Sequence, residues 1–201
     1  MTTWNVAEAR QRYAVPHWSE GYFDVDEAGR LCAQPRGADG PRVALDALIA
    51  TAQGQGARLP LLLRFADILH HRRARLQQAF AKVMADWDYA GGYTAVFPIK
   101  TNQQRGVAGE LAAQAAPGFG LEAGSKPELI AVLALARPGS IVICNGYKDR
   151  EYIRLALIGR RLGLDIFIVV EKPSELDTVI AEARALGVEP LLGVRMRLAT
   201  I

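Results

Sequence analysis

From about residue 59 onward the chain alternates between two patterns. Short runs of β-branched, aromatic and aliphatic residues give way to longer stretches in which apolar positions recur at helical spacing. The first pattern predicts strands over 59–65, 94–99, 119–121, 140–143, 165–170 and 190–195. The second predicts helices over 67–86, through Glu110, Leu111 and Gln114, and over 126–136, 149–162 and 174–186. Ser125 and Ser174 are the expected N-caps, with Glu128 and Asp177 three residues on, and Gly163 and Gly187 stand where helices end. Strands alternating with helices in this way build a parallel sheet, and near-continuous apolar strands imply that both faces are covered.

Two architectures carry that repeat, an open doubly wound sheet and a closed eight-stranded (β/α)8 barrel. In both, ligands gather at the carboxyl ends of the strands. Each apolar run here hands over to a polar or charged residue: Asp67, Lys100, Glu122, Asn145, Glu171 and Arg195. In a barrel these six face a shared centre, whereas in an open sheet most stand too far apart to cooperate. The expectation is therefore an α/β protein with an incomplete TIM-type barrel of about six strands.

The leading segment has a different texture. Trp4, Val6, Tyr13 and Val15 are scattered among polar neighbours before a break at Pro16. Two short strands, over 17–25 and 30–33, flank the turn at 26–29 and suggest a hairpin. Residues 35–41 form a loop rich in Pro and Gly, and a short helix is expected from Val43 to Gln53. The predicted division is a segment of a β-domain over 1–57 and a partial barrel over 58–201.

Composition narrows the function. Half of the 201 residues are hydrophobic and 22% are charged, with a net charge of +3. Basic and acidic residues are interleaved, which argues against a nucleic-acid partner. The densest basic cluster, His70-His71-Arg72-Arg73, falls in a helical pattern and reads as a solvated face. Cys32 and Cys144 make neither a disulfide framework nor a metal spacing, and there are three histidines. No apolar run is long enough to span a bilayer, and the N-terminus lacks a signal-peptide profile. A cytoplasmic protein with reduced thiols is expected.

Lys100 closes the run Thr94-Ala95-Val96-Phe97-Pro98-Ile99 and is followed by Thr101-Asn102-Gln103-Gln104. A lysine at the lip of a buried strand can snorkel its ammonium into water. It can also serve as a nucleophile that condenses with a carbonyl. Glu122 is either an ordinary rim carboxylate or the group that balances charge around Lys100. Arg195 is either a structural partner of Glu171 or a guanidinium placed beside a bound anion or phenolate. Cys144 reads as a small buried apolar residue. The glycines of Gly118-Phe119-Gly120-Leu121-Glu122-Ala123-Gly124 straddle a strand instead of opening a helix, and so do not make a dinucleotide fingerprint.

The run 96–104 resembles the lysine motif of the biosynthetic arginine decarboxylases, pyridoxal-phosphate enzymes of the alanine racemase-like barrel group. The resemblance extends through Gly120-Leu121-Glu122-Ala123-Gly124-Ser125-Lys126 and the long block from Cys144 to Gly159, and Tyr22-Phe23-Asp24-Val25 is similar to that family's start. It implies that Lys100 forms the Schiff base with pyridoxal phosphate; Glu122 and Arg195 are the further candidates for contact with the cofactor. It further implies conversion of L-arginine to agmatine and carbon dioxide in polyamine synthesis, magnesium as an accessory ion, and a homo-oligomer at full length. A closed barrel needs strands beyond Ile201, together with the phosphate-binding loop and the acidic partner of the pyridine nitrogen. The span is accordingly expected to be an N-terminal fragment, inactive and poorly soluble alone. A related decarboxylase or racemase for another amino acid, and a barrel that binds the cofactor without catalysis, are the alternatives.

Overall fold

The structure is a computed structural model that describes residues 4–113, 118–196 and 198. It divides into two compact units, Met1–Gln78 and Ala79–Ile201.

In the first unit, helices α1 (Val6–Arg12) and α2 (Val15–Ser19) precede strands β1 (Phe23–Val25), β2 (Leu31–Ala33) and β3 (Val43–Ala44), and helix α3 (Leu45–Gly54) follows. The three strands form an antiparallel sheet in chain order. The expected hairpin is present but shorter, because His17, Trp18 and Ser19 belong to α2. Asn5 caps α1 by accepting from the Glu8 amide, a local signal that the scattered apolar residues of the leader concealed. Arg10 grips Asp24 through two 2.6 Å bonds and ties α1 to β1.

The long helix α4 (Ala66–Asp86) runs across the division between the units, which therefore falls later than the change of pattern near residue 57. The segment 59–65, expected as a strand, pairs with nothing in either sheet. Pro60 removes a ladder donor from it, and Leu59 and Leu62 are exposed.

The second unit repeats strand and helix: β4 (Ala95–Pro98), a 3-10 turn (Ile99–Thr101), α5 (Arg105–Ala113), β5 (Phe119–Ala123), α6 (Lys126–Leu135), β6 (Ile141–Cys144), α7 (Arg150–Arg161), β7 (Asp165–Val170), α8 (Pro173–Leu186) and β8 (Leu191–Val194). The expected reach of the fifth helix to Gln114 lies outside the described residues. All five strands are parallel, in the order β4-β5-β6-β7-β8. A doubly wound sheet reverses its strand order at a switch point. Here each strand lies beside its successor without reversal, which is barrel order.

Burial alternates along β6, while β5 is buried throughout. Leu121, Ala123, Val142, Cys144, Ile166 and Ile168 are buried on one face. Gly159 of α7 shows what covers that face, since a Cβ there would run into Ile166. On α7, Tyr152, Ile153, Ala156 and Leu157 are buried at helical spacing, each large side chain contributing about 1.5–3 kcal/mol of burial. The other face carries the half-buried Ile141, Ile143, Phe167 and Leu191. The expected N-cap at Ser174 moves to Lys172, because Pro173 takes the first helical position.

Candidate active site at the carboxyl ends of the strands

The parallel register sets the rim. Glu122 pairs with Ile143, Ile143 with Phe167, and Phe167 with Leu191. Side chains alternate along a strand, so Glu122, Asn145, Glu171 and Arg195 fall on the parity of the face opposite Leu121 and Val142. Asp67 does not join them. It lies in the first turn of α4, within the first unit, and pairs there with Arg36 at 3.1 Å. Its place in the expected row depended on a strand over 59–65, and that strand does not pair.

Lys100 sits in the 3-10 turn that follows β4, where the Thr101 hydroxyl donates to the Pro98 carbonyl at 2.8 Å. Its side chain is 61% exposed and its Nζ lies 3.8 Å from Glu122 Oε1. The stem leads the amine toward a carboxylate on the face opposite α7. Glu122 is only 7% exposed. Its Oε1 also accepts from Asn145 Nδ2 at 3.2 Å, and its buried Oε2 has no hydrogen-bond partner among the described residues. A buried carboxylate oxygen with its bond unmade is costly, and it is suited to a donor on a bound group.

Arg195 follows β8, and its Nη1 lies 3.5 Å from Glu171 Oε1. The same Oε1 accepts from the Gly146 amide at 2.6 Å. Arg195 thus has a partner and remains 65% exposed, with its guanidinium at an open groove of about 830 Å3 that also includes Gly146, Tyr147, Glu171 and Met196. The rim therefore presents two cation–carboxylate pairs, Lys100–Glu122 and Arg195–Glu171. The β6–α7 loop touches the acid of each, through Asn145 and Gly146.

That loop is shaped by backbone and buried contacts that spacing along the chain does not show. Gly146 has φ +77°, and a Cβ there would collide with the Gly124 carbonyl. Tyr152 Oη donates to the Ala123 carbonyl at 2.8 Å, fastening α7 beneath the rim. Burial drives the Tyr152 hydroxyl pKa upward, so it stays a donor. Asp149 accepts from the Tyr152 amide as the N-cap of α7. Lys126 holds the Asp149 carboxyl below its ordinary pKa, and the capping amide adds to this. Cys144 is buried and its thiol is pushed up to about 11 by desolvation, so it is no nucleophile.

The donor set fits pyridoxal phosphate: an amine for its aldehyde, a guanidinium for an anionic oxygen, and a carboxylate with one oxygen unfilled. Among the described residues no group of three or more His, Cys, Asp or Glu side chains that could hold a metal ion is found. No helix among them is long and apolar enough to cross a membrane.

Comparison with known proteins agrees with this geometry. The family model "Pyridoxal-dependent decarboxylase, pyridoxal binding domain" matches residues 73–199. Biosynthetic arginine decarboxylases from Xanthomonas campestris pv. campestris and Xylella fastidiosa strain 9a5c are 64% and 61% identical over 100% and 99% of the chain, which spans 32% of each. The crystal structure of the biosynthetic arginine decarboxylase from Campylobacter jejuni superposes with a TM-score of 0.81 at 30% identity, covering 92% of this chain and 31% of that one. The chain thus spans about a third of the length of the curated relatives it matches. An unreversed parallel sheet, a lysine at a strand end facing a buried acid, and a family match over most of the length lead to one conclusion: the chain belongs to the pyridoxal-dependent decarboxylases, through their pyridoxal-binding domain.

Proposed function

We propose that this chain is part of an arginine decarboxylase that converts L-arginine to agmatine and carbon dioxide for polyamine synthesis, with Lys100 as the lysine that holds pyridoxal phosphate. The observation that carries the chemistry is the approach of Lys100 Nζ to within 3.8 Å of the buried Glu122. The arginine specificity is supported by the names of relatives more than 60% identical to the chain.

When bound, pyridoxal phosphate supplies the electron sink that accepts the electrons left as the carboxylate departs. The residues of this chain do the rest of what is visible here. Lys100 Nζ would hold the aldehyde carbon and exchange a proton there. Glu122 balances charge at that amine through Oε1 and leaves Oε2 as an acceptor for the bound group. Arg195 Nη1 would attract the phenolate or another anionic oxygen, while Glu171 keeps the guanidinium aimed. No step is assigned to magnesium. A cytoplasmic location and a homo-oligomeric full-length protein belong to the same reading, and arginine is its only assigned partner.

The test uses the full-length protein with arginine, ornithine, lysine and diaminopimelate as separate substrates. Agmatine and carbon dioxide from arginine alone, abolished by Lys100→Ala, are expected. Release of putrescine or cadaverine at equal rate would overturn the arginine assignment. A cofactor absorbance band without any carbon dioxide would point to a binding protein instead.

A further inference from the structure

Behind the rim lies a buried ion pair that the chemistry above does not use. The Lys148 side chain is 0% exposed and that of Glu175 is 5% exposed. Lys148 Nζ donates to the carbonyls of Gly146 and Val169, each at 2.5 Å, and lies 3.7 Å from Glu175 Oε2. Glu175 in turn accepts from two backbone amides, Lys148 at 3.1 Å and Glu171 at 2.9 Å.

Helix capping alone does not explain this arrangement. On α6 the third-position glutamate, Glu128, accepts from the Gly124 amide at 2.7 Å. Glu175 holds the equivalent position on α8 and makes the equivalent bond to Glu171, but it reaches a second loop as well. An apolar pair of similar volume would hold a fold as well as a buried ion pair does, or better. What Lys148 and Glu175 supply, and apolar residues cannot, is a set of bonds to the backbone at Gly146, Lys148, Val169 and Glu171. Those atoms flank Asn145, which bonds Glu122, and Gly146, which bonds Glu171.

We infer that Lys148 and Glu175 are positioning residues, which fix the loop at 145–148 so that it holds Glu122 and Glu171 against Lys100 and Arg195. This rests on the cofactor reading proposed above. Burial would raise the Glu175 carboxyl, but the Glu171 and Lys148 amides and the Lys148 charge outweigh it and leave the pKa below its ordinary value. The Glu175 carboxyl is therefore ionised when the site works.

The test compares full-length wild type with Lys148→Met/Glu175→Leu, Glu175→Gln and Gly146→Ala. The double variant removes both charges together, so it is expected to fold with a melting temperature close to wild type. The expected result is faster hydrogen exchange at residues 145–148, a shifted absorbance band of bound pyridoxal phosphate, and kcat lowered by about 10–100-fold with a smaller change in KM. Gly146→Ala displaces the same loop while leaving both charges of the pair in place, and is expected to give the same band shift. Wild-type exchange, band and kcat in a folded double variant would overturn the inference. If that variant does not fold, Glu175→Gln, which keeps the shape and loses the charge, decides on the same readings. A wild-type protein with no cofactor on Lys100 overturns the cofactor reading and this inference with it. Normal loading at Lys100 with unaffected variants overturns only the positioning role.

Discussion

At the level of single residues, helix α7 is held by carboxylates whose neighbours lower their pKa. Asp149 sits below its ordinary pKa because of Lys126 and the Tyr152 amide. Glu182 does so because of Arg154 and then Arg150, the two arginines of α7 that reach it from across the helix pair. A carboxyl depressed in the folded state gives up its proton more readily there than in the unfolded chain. Its contribution is complete above the unfolded value and is lost as pH falls through the folded one. The urea midpoint of the full-length protein is therefore expected to drop as pH is lowered below about 4. Glu182→Gln is expected to lower the midpoint at neutral pH and flatten this decline; an equally steep decline in the variant would contradict the assignment. Cys144, buried with its thiol raised to about 11, is expected to resist alkylation at pH 8 until the protein unfolds.

The elements show how much the sequence discloses. The repeat of strand and helix from β4 to β8 is legible because both faces of a parallel strand are covered and its apolar run is continuous. The rim residues Glu122, Asn145, Glu171 and Arg195 could be found because each ends such a run on the same parity. Asp67 was misplaced for the converse reason: the run 59–65 is apolar but carries Pro60 and joins no ladder. Lys148 and Glu175 left no periodic signal, since each is charged, near a helix start, and ordinary there when exposed. Their burial depends on two loops meeting, which spacing along one chain does not encode. Packing gives sharper expectations. Gly120 lies where a Cβ would stand 2.7 Å from the Ile141 carbonyl, so Gly120→Ala is expected to cost about 1–3 kcal/mol by spreading β5 from β6. Leu157→Ala, at a fully buried position of α7, is expected to cost about 2–5 kcal/mol in equilibrium unfolding.

At the scale of the whole molecule, β8 departs from the pattern of its neighbours. Leu192 and Val194 are in register with Ile168 and Val170, yet they are 44% and 77% exposed where Ile168 is fully buried. Exposed apolar side chains on an unpaired strand edge favour association. Expressed alone, the span 1–201 is expected to self-associate, and Leu192→Lys with Val194→Lys is expected to reduce light scattering; a monodisperse monomer without these changes would contradict this. The proposed chemistry turns on one amine. Borohydride reduction of the full-length protein loaded with pyridoxal phosphate, followed by peptide mapping, is expected to leave the pyridoxyl group on Lys100 and on no other lysine. An adduct on a different lysine, or none on Lys100 in a protein that binds the cofactor, would contradict it.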